Sequence, residues 1–258
     1  MSFVISLEEY IQDTDDTELR IPDCITKISG HAIPENITSV VIPKSVTDIE
    51  TNAFDCGEDL LSITVDSDNP VYCDIDGVLY SKDKRMLVRY PCGRKNAEFV
   101  IPNHVTEIGE RAFVKCNGLR SVTLPDSVTI IGMNAFSLSG LVSIHLPVSI
   151  KTIVDGAFWS CHELTSINLP EGLTRISLYA FVDCKKLETV CIPRSITAIH
   201  CRTFWNCHSL TSVLIPDSVT EIADDAFLNC EHLTIVTTSG SYADEYAQRN
   251  GFGVSYDL

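Results

Sequence analysis

The chain has 258 residues, is 45% hydrophobic and carries a formal charge of −16. That length buries a large core, and the acidity argues against nucleic acid and anionic membrane surfaces as partners. No stretch approaches the roughly 18 apolar residues of a membrane-spanning helix, and Phe3-Val4-Ile5, with no basic residue before it, is too short for a signal-peptide core. With Met1 as the natural start the protein stays in the cytoplasm. A leader removed before Met1 would place it at the cell surface or outside.

Residues 1–18 hold six acids and no Lys or Arg. Ser6 followed by Glu9 is a capping-box pattern, which predicts a short helix from Leu7 to Gln12 covering the N-terminal end of the core. From about residue 19 the chain is periodic. Pro22, Pro43, Pro102, Pro125, Pro147, Pro170, Pro193 and Pro216 are spaced 21, 59, 23, 22, 23, 23 and 23 residues apart. The gap of 59 hides a copy in which Asp66 replaces the proline, followed by a copy with 13 extra residues. Counting one step past Pro216 to Ser239 gives ten strand positions and nine rungs, a stack on the order of 43 Å long at parallel-strand spacing. Such a period is the signature of a repeat architecture in which no copy folds alone.

The three copies from Leu164 to Cys230 follow the pattern LxSVx[IL]PxSVTxIxxxAFxxC, and the others are earlier or interrupted versions of it. Val122-Thr123-Leu124 and its equivalents alternate as a strand does. The proline has no amide to donate and ends the ladder. Val219-Thr220-Glu221-Ile222 and its equivalents read as a second short strand, closed by Ile28, Ile49, Ile108, Ile131, Ile153, Ile176, Ile199 and Ile222. The Ala-Phe pair then predicts a single helical turn that admits one ring to the core. Asp76–Tyr80 and Met86–Pro91 read as a β-hairpin around Lys82–Arg85, inserted near residues 70–97. After Thr238, Ser241 with Asp244 and the apolar Tyr242, Ala243, Tyr246 and Ala247 predict a capping helix over 241–250, ended by Asn250-Gly251.

A 23-residue repeat with LxxVxLPxS followed by AFxxC resembles the BspA-like leucine-rich repeat family of surface antigens. The likeness covers residues 19–238, and the DGVLY…YP hairpin and the GSYADEYAQRNGF ending resemble family features too. It implies an α/β, β-rich, right-handed leucine-rich-repeat solenoid. The expected parts are a parallel concave sheet of about ten strands, short helical turns and one inserted β-hairpin. It also implies a binding role without catalysis. The whole chain reads as one domain: an N-terminal cap at 1–18, repeats at 19–238, and a C-terminal helix and tail at 239–258. Many family members are large and secreted. This chain departs from them in being short and lacking a signal peptide, and GSYADEYAQRNGF implies a natural end at Leu258.

Eleven cysteines would signal disulfides in a small secreted protein. Cys116, Cys161, Cys184, Cys207 and Cys230 instead share one column and point the same way from successive rungs, which predicts reduced, buried thiols. A zinc site is the alternative, without C-x₂-C or H-x₃₋₅-H pairs to support it. Cys73 and Cys92 flank the hairpin out of direct opposition. No nucleotide, zinc-protease or serine-hydrolase motif is present. Ser81–Lys84 matches SxxK on a turn without its partner motifs, Asn36-Ile37-Thr38 is a glycosylation sequon, and His162 and His208 lie two rungs apart. No cofactor is predicted.

Two functions stay open besides a purely structural role. One is a scaffold that binds another protein, as a monomer or with weak self-association. The other is a hydrolase or transferase on the concave sheet. The outward columns there are Arg20, Val41, Thr64, Val100, Thr123, His145, Asn168, Cys191, Leu214, Thr237, and the neighbouring series from Ser39 to Ile235. Only His145 and Cys191 are reactive types, with Asn168 between them. Candidate partner-binding residues are His145, Asn168 and Leu214 on the sheet and the flank tryptophans Trp159 and Trp205, expected to stack with Val114, Val182 and Leu228. The third set is the basic hairpin, Lys82, Lys84, Arg85, Arg89, Arg94 and Lys95, a local +5 suited to an acidic partner or to the acidic N-terminus of a second copy.

Overall fold

The computed structural model describes residues 17–55 and 57–257. The predicted helix at 7–12 lies outside them. Each copy contributes a first strand whose alternate residues enter the core, as in Val40, Ile63, Val122, Ile144, Val190 and Val213. These strands pair in parallel and in register, Ser121 with Ser143, Ser143 with Ser166, and Thr189 with Ser212. The proline carbonyl then accepts an amide three residues on, Val105 to Pro102 at 3.0 Å and Val128 to Pro125 at 3.1 Å, and turns the chain. The serine of PxSV knits rungs together: Ser127 Oγ donates to Val105 O at 2.7 Å and Ser149 Oγ to Val128 O at 2.5 Å. A second strand of two residues comes next, as Glu107–Ile108 and Ile130–Ile131, also parallel.

The Ala-Phe segment differs from its prediction, for it is not helical. Two hydrogen-bonded turns succeed each other, Ala112 N to Gly109 O at 3.2 Å and Cys116 N to Phe113 O at 3.2 Å. The third residue of each is left-handed, Arg111 at φ 57° and Lys115 at φ 61°. Turns with φ > 0 at that position favour glycine, yet Asn134, Tyr179 and Arg202 adopt it in other copies. The turns deliver one phenylalanine per rung inward. Phe113, Phe136, Phe158, Phe181, Phe204 and Phe227 stack with centroids 5.0–5.5 Å apart, each pair adding about 0.5–1.5 kcal/mol beyond its buried area. Where Thr203 replaces the alanine, its buried hydroxyl donates to His200 O at 2.8 Å.

The cysteine column lies beside this stack. Cys161, Cys184, Cys207 and Cys230 donate to Phe136, Phe158, Phe181 and Phe204 carbonyls at 3.0–3.2 Å. A thiol therefore fills a methyl-sized space and satisfies a buried carbonyl together. The column thiols Cys116, Cys161, Cys184, Cys207 and Cys230 form no disulfide, nor do Cys73 and Cys92. Among the described residues no three His, Cys, Asp or Glu side chains converge on a metal-sized site.

The insertion breaks the stack. It is a three-stranded antiparallel meander, Tyr72–Ile75, Val78–Ser81 and Met86–Arg89, not the two strands the sequence predicts. The extra pair is Tyr72–Ile75 with Val78–Ser81, closed by Asp76 (φ 49°) and Gly77 (φ 73°), the residues a two-residue hairpin turn requires. Met86–Arg89 continues the rung as its second strand, paired with Glu107-Ile108. Ile63 N donates to Gly77 O at 2.9 Å and Val65 N to the Asp74 carboxylate at 2.8 Å. The wedge divides the first-strand ladder into three strands and eight. The core divides with it, into residues Ile21 to Val65 and residues Val78 to Ala247, with Leu79 reaching back across the seam.

At the C-terminus Ser241 caps the helix Tyr242–Asn250 and Gly251 ends it in the left-handed conformation. Tyr246 and Phe252 close the phenylalanine stack. The tail then adds an eleventh strand, Gly253–Ser255, paired with Thr234–Val236. The last repeat is one residue shorter than the three before it. Leu214 faces Val236, so Thr237 and Ile235 are buried and not outward as the 23-residue count predicts. Thr237 Oγ1 is satisfied by Ile215 O at 2.8 Å.

Candidate functional site

The predicted basic cluster comes apart. Lys82, Lys84 and Arg85 are exposed on the turn between Val78–Ser81 and Met86–Arg89, with Asp83 held by Ser81 Oγ at 2.6 Å. Arg94 is spent on structure, donating to the Leu61 carbonyl at 2.7 Å and to the Asp76 carbonyl. Lys95 is exposed beyond it. Arg89 is no surface residue: it is 2% exposed and fills the place that alanine holds in other copies, with Tyr90 in the phenylalanine place. Its guanidinium donates to Phe54 O at 3.0 Å and Arg111 O at 2.8 Å and lies 3.5 Å from the Asp55 carboxylate, which Arg111 also pairs. In the sequence Arg89 reads as a surface charge because the shortened Tyr90-Pro91-Cys92 segment hides its column.

On the principal sheet His145 and Cys191 are exposed, two strands apart, about 10 Å at the usual strand spacing. Asn168 between them is committed to the fold. Its Oδ1 accepts from Leu146 N at 2.8 Å and its Nδ2 donates to Leu146 O at 3.2 Å. Leu214 and Cys191 border a shallow cleft of about 410 Å³ with Glu171, Arg194 and Asp217. Among the described residues no hydrogen bond joins His145 or Cys191 to a side chain that would activate it, so a nucleophile–base pair is not assembled here.

The flank tryptophans do share one groove. Val114 and Val182 are buried and Leu228 is exposed, so the expected strip is discontinuous. Trp159 is 40% exposed and Trp205 half-buried, and they line one groove of about 460 Å³ with Met133, Asn134, Asp155, Gly156, Tyr179 and Val182. Tyr179, 41% exposed, does not stand out in the sequence, nor does Met133. The signal lies in the column before each alanine, where Tyr179 stands among Arg111, Asn134, Gly156 and Arg202 in left-handed conformations that turn side chains outward. The groove opens at Gly156, where a Cβ would lie 2.3 Å from Asn134 Oδ1. Among the described residues Asp155 is the one charged side chain in its lining. Above it, Arg202 lies 4.9 Å from the Trp205 ring centre and is held by Asp225 at 3.2 Å.

The repeat pattern and its stacked rungs agree with a family model. The BspA-type leucine-rich repeat region, a six-copy model, matches residues 7–72, 90–211 and 176–248. The chain belongs to the BspA-type leucine-rich repeat family. Among solved structures, the pneumococcal vaccine antigen PcpA shares the fold with a TM-score of 0.74 at 21% identity, over 93% of this chain and 68% of that one. A leucine-rich repeat protein of Eubacterium ventriosum aligns with a TM-score of 0.67 at 26% identity, over 82% of this chain and 64% of that one. A leucine-rich cell surface protein of Faecalibacterium prausnitzii aligns at 0.59 with 31% identity, over 93% and 63%. The chain thus spans about two thirds of these relatives. No match is found among curated proteins. Among the described residues of this BspA-type repeat chain no helix is long and apolar enough to cross a membrane.

Proposed function

We propose that the chain is a non-catalytic binding module of a cell-surface or secreted repeat protein, recognising another protein through the Trp159–Tyr179–Trp205 groove. One observation carries the reading: two aromatic side chains, each about 40% exposed, line one groove of about 460 Å³. Exposed aromatic clusters are unfavourable unless covered, and Trp and Tyr dominate the energetics of protein interfaces. Membership of a repeat family and the names of the relatives, an antigen and a cell surface protein, support the same class and location. Among the described residues the sheet supplies no paired nucleophile and base, which disfavours the hydrolase or transferase reading.

The test is capture of surface-exposed proteins from the natural environment on immobilised chain, wild type against Trp159→Ala/Tyr179→Ala. Both side chains are partly solvated, so the double variant keeps its fold. A protein retained by the wild type and lost by the variant is the expected result. Equal retention by both would remove the groove as the binding surface.

A further inference from the structure

We infer that the groove receives a cationic side chain, arginine or lysine, from the partner protein. This rests on the binding reading above and names the partner's chemistry. Two rungs of the same chain differ in the way that matters. Trp159 and Trp205 occupy one column, each directly after the ladder phenylalanine. Three residues before Trp205 stands Arg202, whose guanidinium covers the indole at 4.9 Å and is anchored by Asp225. Three residues before Trp159 stands Gly156, with no side chain to do the same. The fold thus builds an arginine-on-tryptophan contact at one rung and leaves the corresponding ring bare two rungs earlier.

The surroundings of the bare ring suit a cation. Tyr179 adds a second exposed aromatic face and Asp155 a carboxylate. Among the described residues no ion pair engages Asp155. Aromatic faces attract cations through their quadrupole, and arginine more than lysine pairs with them in this way. A neutral apolar anchor would leave Asp155 covered and unpaired, at a desolvation cost. An acidic anchor would meet it as a like charge, on a chain of formal charge −16.

The chain reports on its own groove, because Trp159 and Trp205 are its two tryptophans. Intrinsic fluorescence is titrated with acetyl-Ala-Arg-Ala-amide, and with the same peptide carrying Glu or Leu at the centre. The arginine peptide is expected to give a saturable change, and the Glu and Leu peptides none in the same range. Asp155→Asn and Tyr179→Ala should each weaken the arginine response about 3- to 10-fold. Gly156→Arg should abolish it by supplying the missing guanidinium in cis. Arg111 and Arg202 already adopt the same left-handed conformation in this column, at φ 57° and 53°, but a Cβ at 156 would lie 2.3 Å from Asn134 Oδ1, so Asn134 must turn aside. A thermal melt checks that the variant folds, and Asp155→Asn carries the test if it does not. Equal responses to Arg and Glu peptides overturn the inference, as does a response unchanged in both Asp155→Asn and Gly156→Arg. A protein captured through Trp159 and Tyr179 without any arginine response would overturn the cation alone and leave the binding module standing.

Discussion

Arg89 offers the sharpest test of the packing. It is a cation in a column of alanines, and its removal to Ala restores the repeat consensus. The structure predicts the opposite of a consensus gain. Truncation takes one donor from the Phe54 and Arg111 carbonyls, which keep their turn amides from Gly57 and Val114, at about 0.5–1.5 kcal/mol each. It opens a cavity between the two halves of the core and leaves Asp55, itself buried, with Arg111 alone. One offset is small: Arg89 Nε is shielded and donates to nothing, so its loss costs nothing. The balance is a destabilisation of about 3–5 kcal/mol, the range for breaking a buried charge pair from one side, or roughly 6–20 °C in Tm for a chain of this size. Chemical denaturation monitored by circular dichroism measures it. Hydrogen exchange locates it, since amides of Ser39–Ile42 and Ser62–Val65 should lose protection before those of Ser143–His145. A loss below about 1 kcal/mol would refute the assignment of Arg89 as the bolt across the seam.

The exposed turn gives the contrast: Lys84→Glu with Arg85→Glu should change stability by less than about 0.5 kcal/mol, and any capture of an acidic partner that survives it unchanged in salt dependence removes this turn as a contact. Desolvation pushes the buried Cys161 and Cys230 thiols up to about 12 and lifts Cys116, Cys184 and Cys207 strongly as well. A proton held more tightly folded than unfolded gives full stability below the unfolded pKa and loses it as pH climbs toward the folded one. Urea midpoints should therefore be level up to about pH 8.5 and fall above it, each thiol removing about 1.4 kcal/mol per pH unit; a flat profile to pH 10 contradicts the buried column. Gly156→Ala should cost about 1–2 kcal/mol, from the left-handed backbone and the crowding against Asn134, read as a lowered melting temperature; an unchanged one would show that the position does not need glycine. Tyr246→Ala should cost about 3–5 kcal/mol by unroofing Phe227, and a loss near zero would mean that the helix Tyr242–Asn250 caps nothing.

The sequence displays whatever every rung must satisfy alike. The phenylalanine column, the isoleucine column and the thiol column each repeat because a stacked layer has one inward direction at each step, and a residue facing that way meets the same neighbour above and below. The strand positions and the terminal helix can be read from this without further information. Register at the ends cannot. The last repeat drops one residue, and only the burial of Ile235 and Thr237 reveals which side of the strand turned inward. The meander is half legible, since Asp76-Gly77 is a hairpin signal, but Tyr72–Ile75 carries no alternation that separates a strand from a loop.

The candidate site is less visible for a related reason. Motif reading looks for residues that are present, and the groove is made by one that is missing. Gly156 matters because the same column holds Arg111, Asn134, Tyr179 and Arg202, and the gap it leaves exposes Trp159 where Arg202 covers Trp205. In a ladder, packing dictates the inward columns and leaves the outward ones free. Specificity therefore collects where an outward column breaks its own pattern. Gly156 with Tyr179 is one such break, and the basic turn at Lys82–Arg85 is another. Arg89, which also breaks its column, turns inward and is consumed by the fold. Exposure thus separates a departure that bears on recognition from one that bears on stability, and exposure is what a column of letters does not carry.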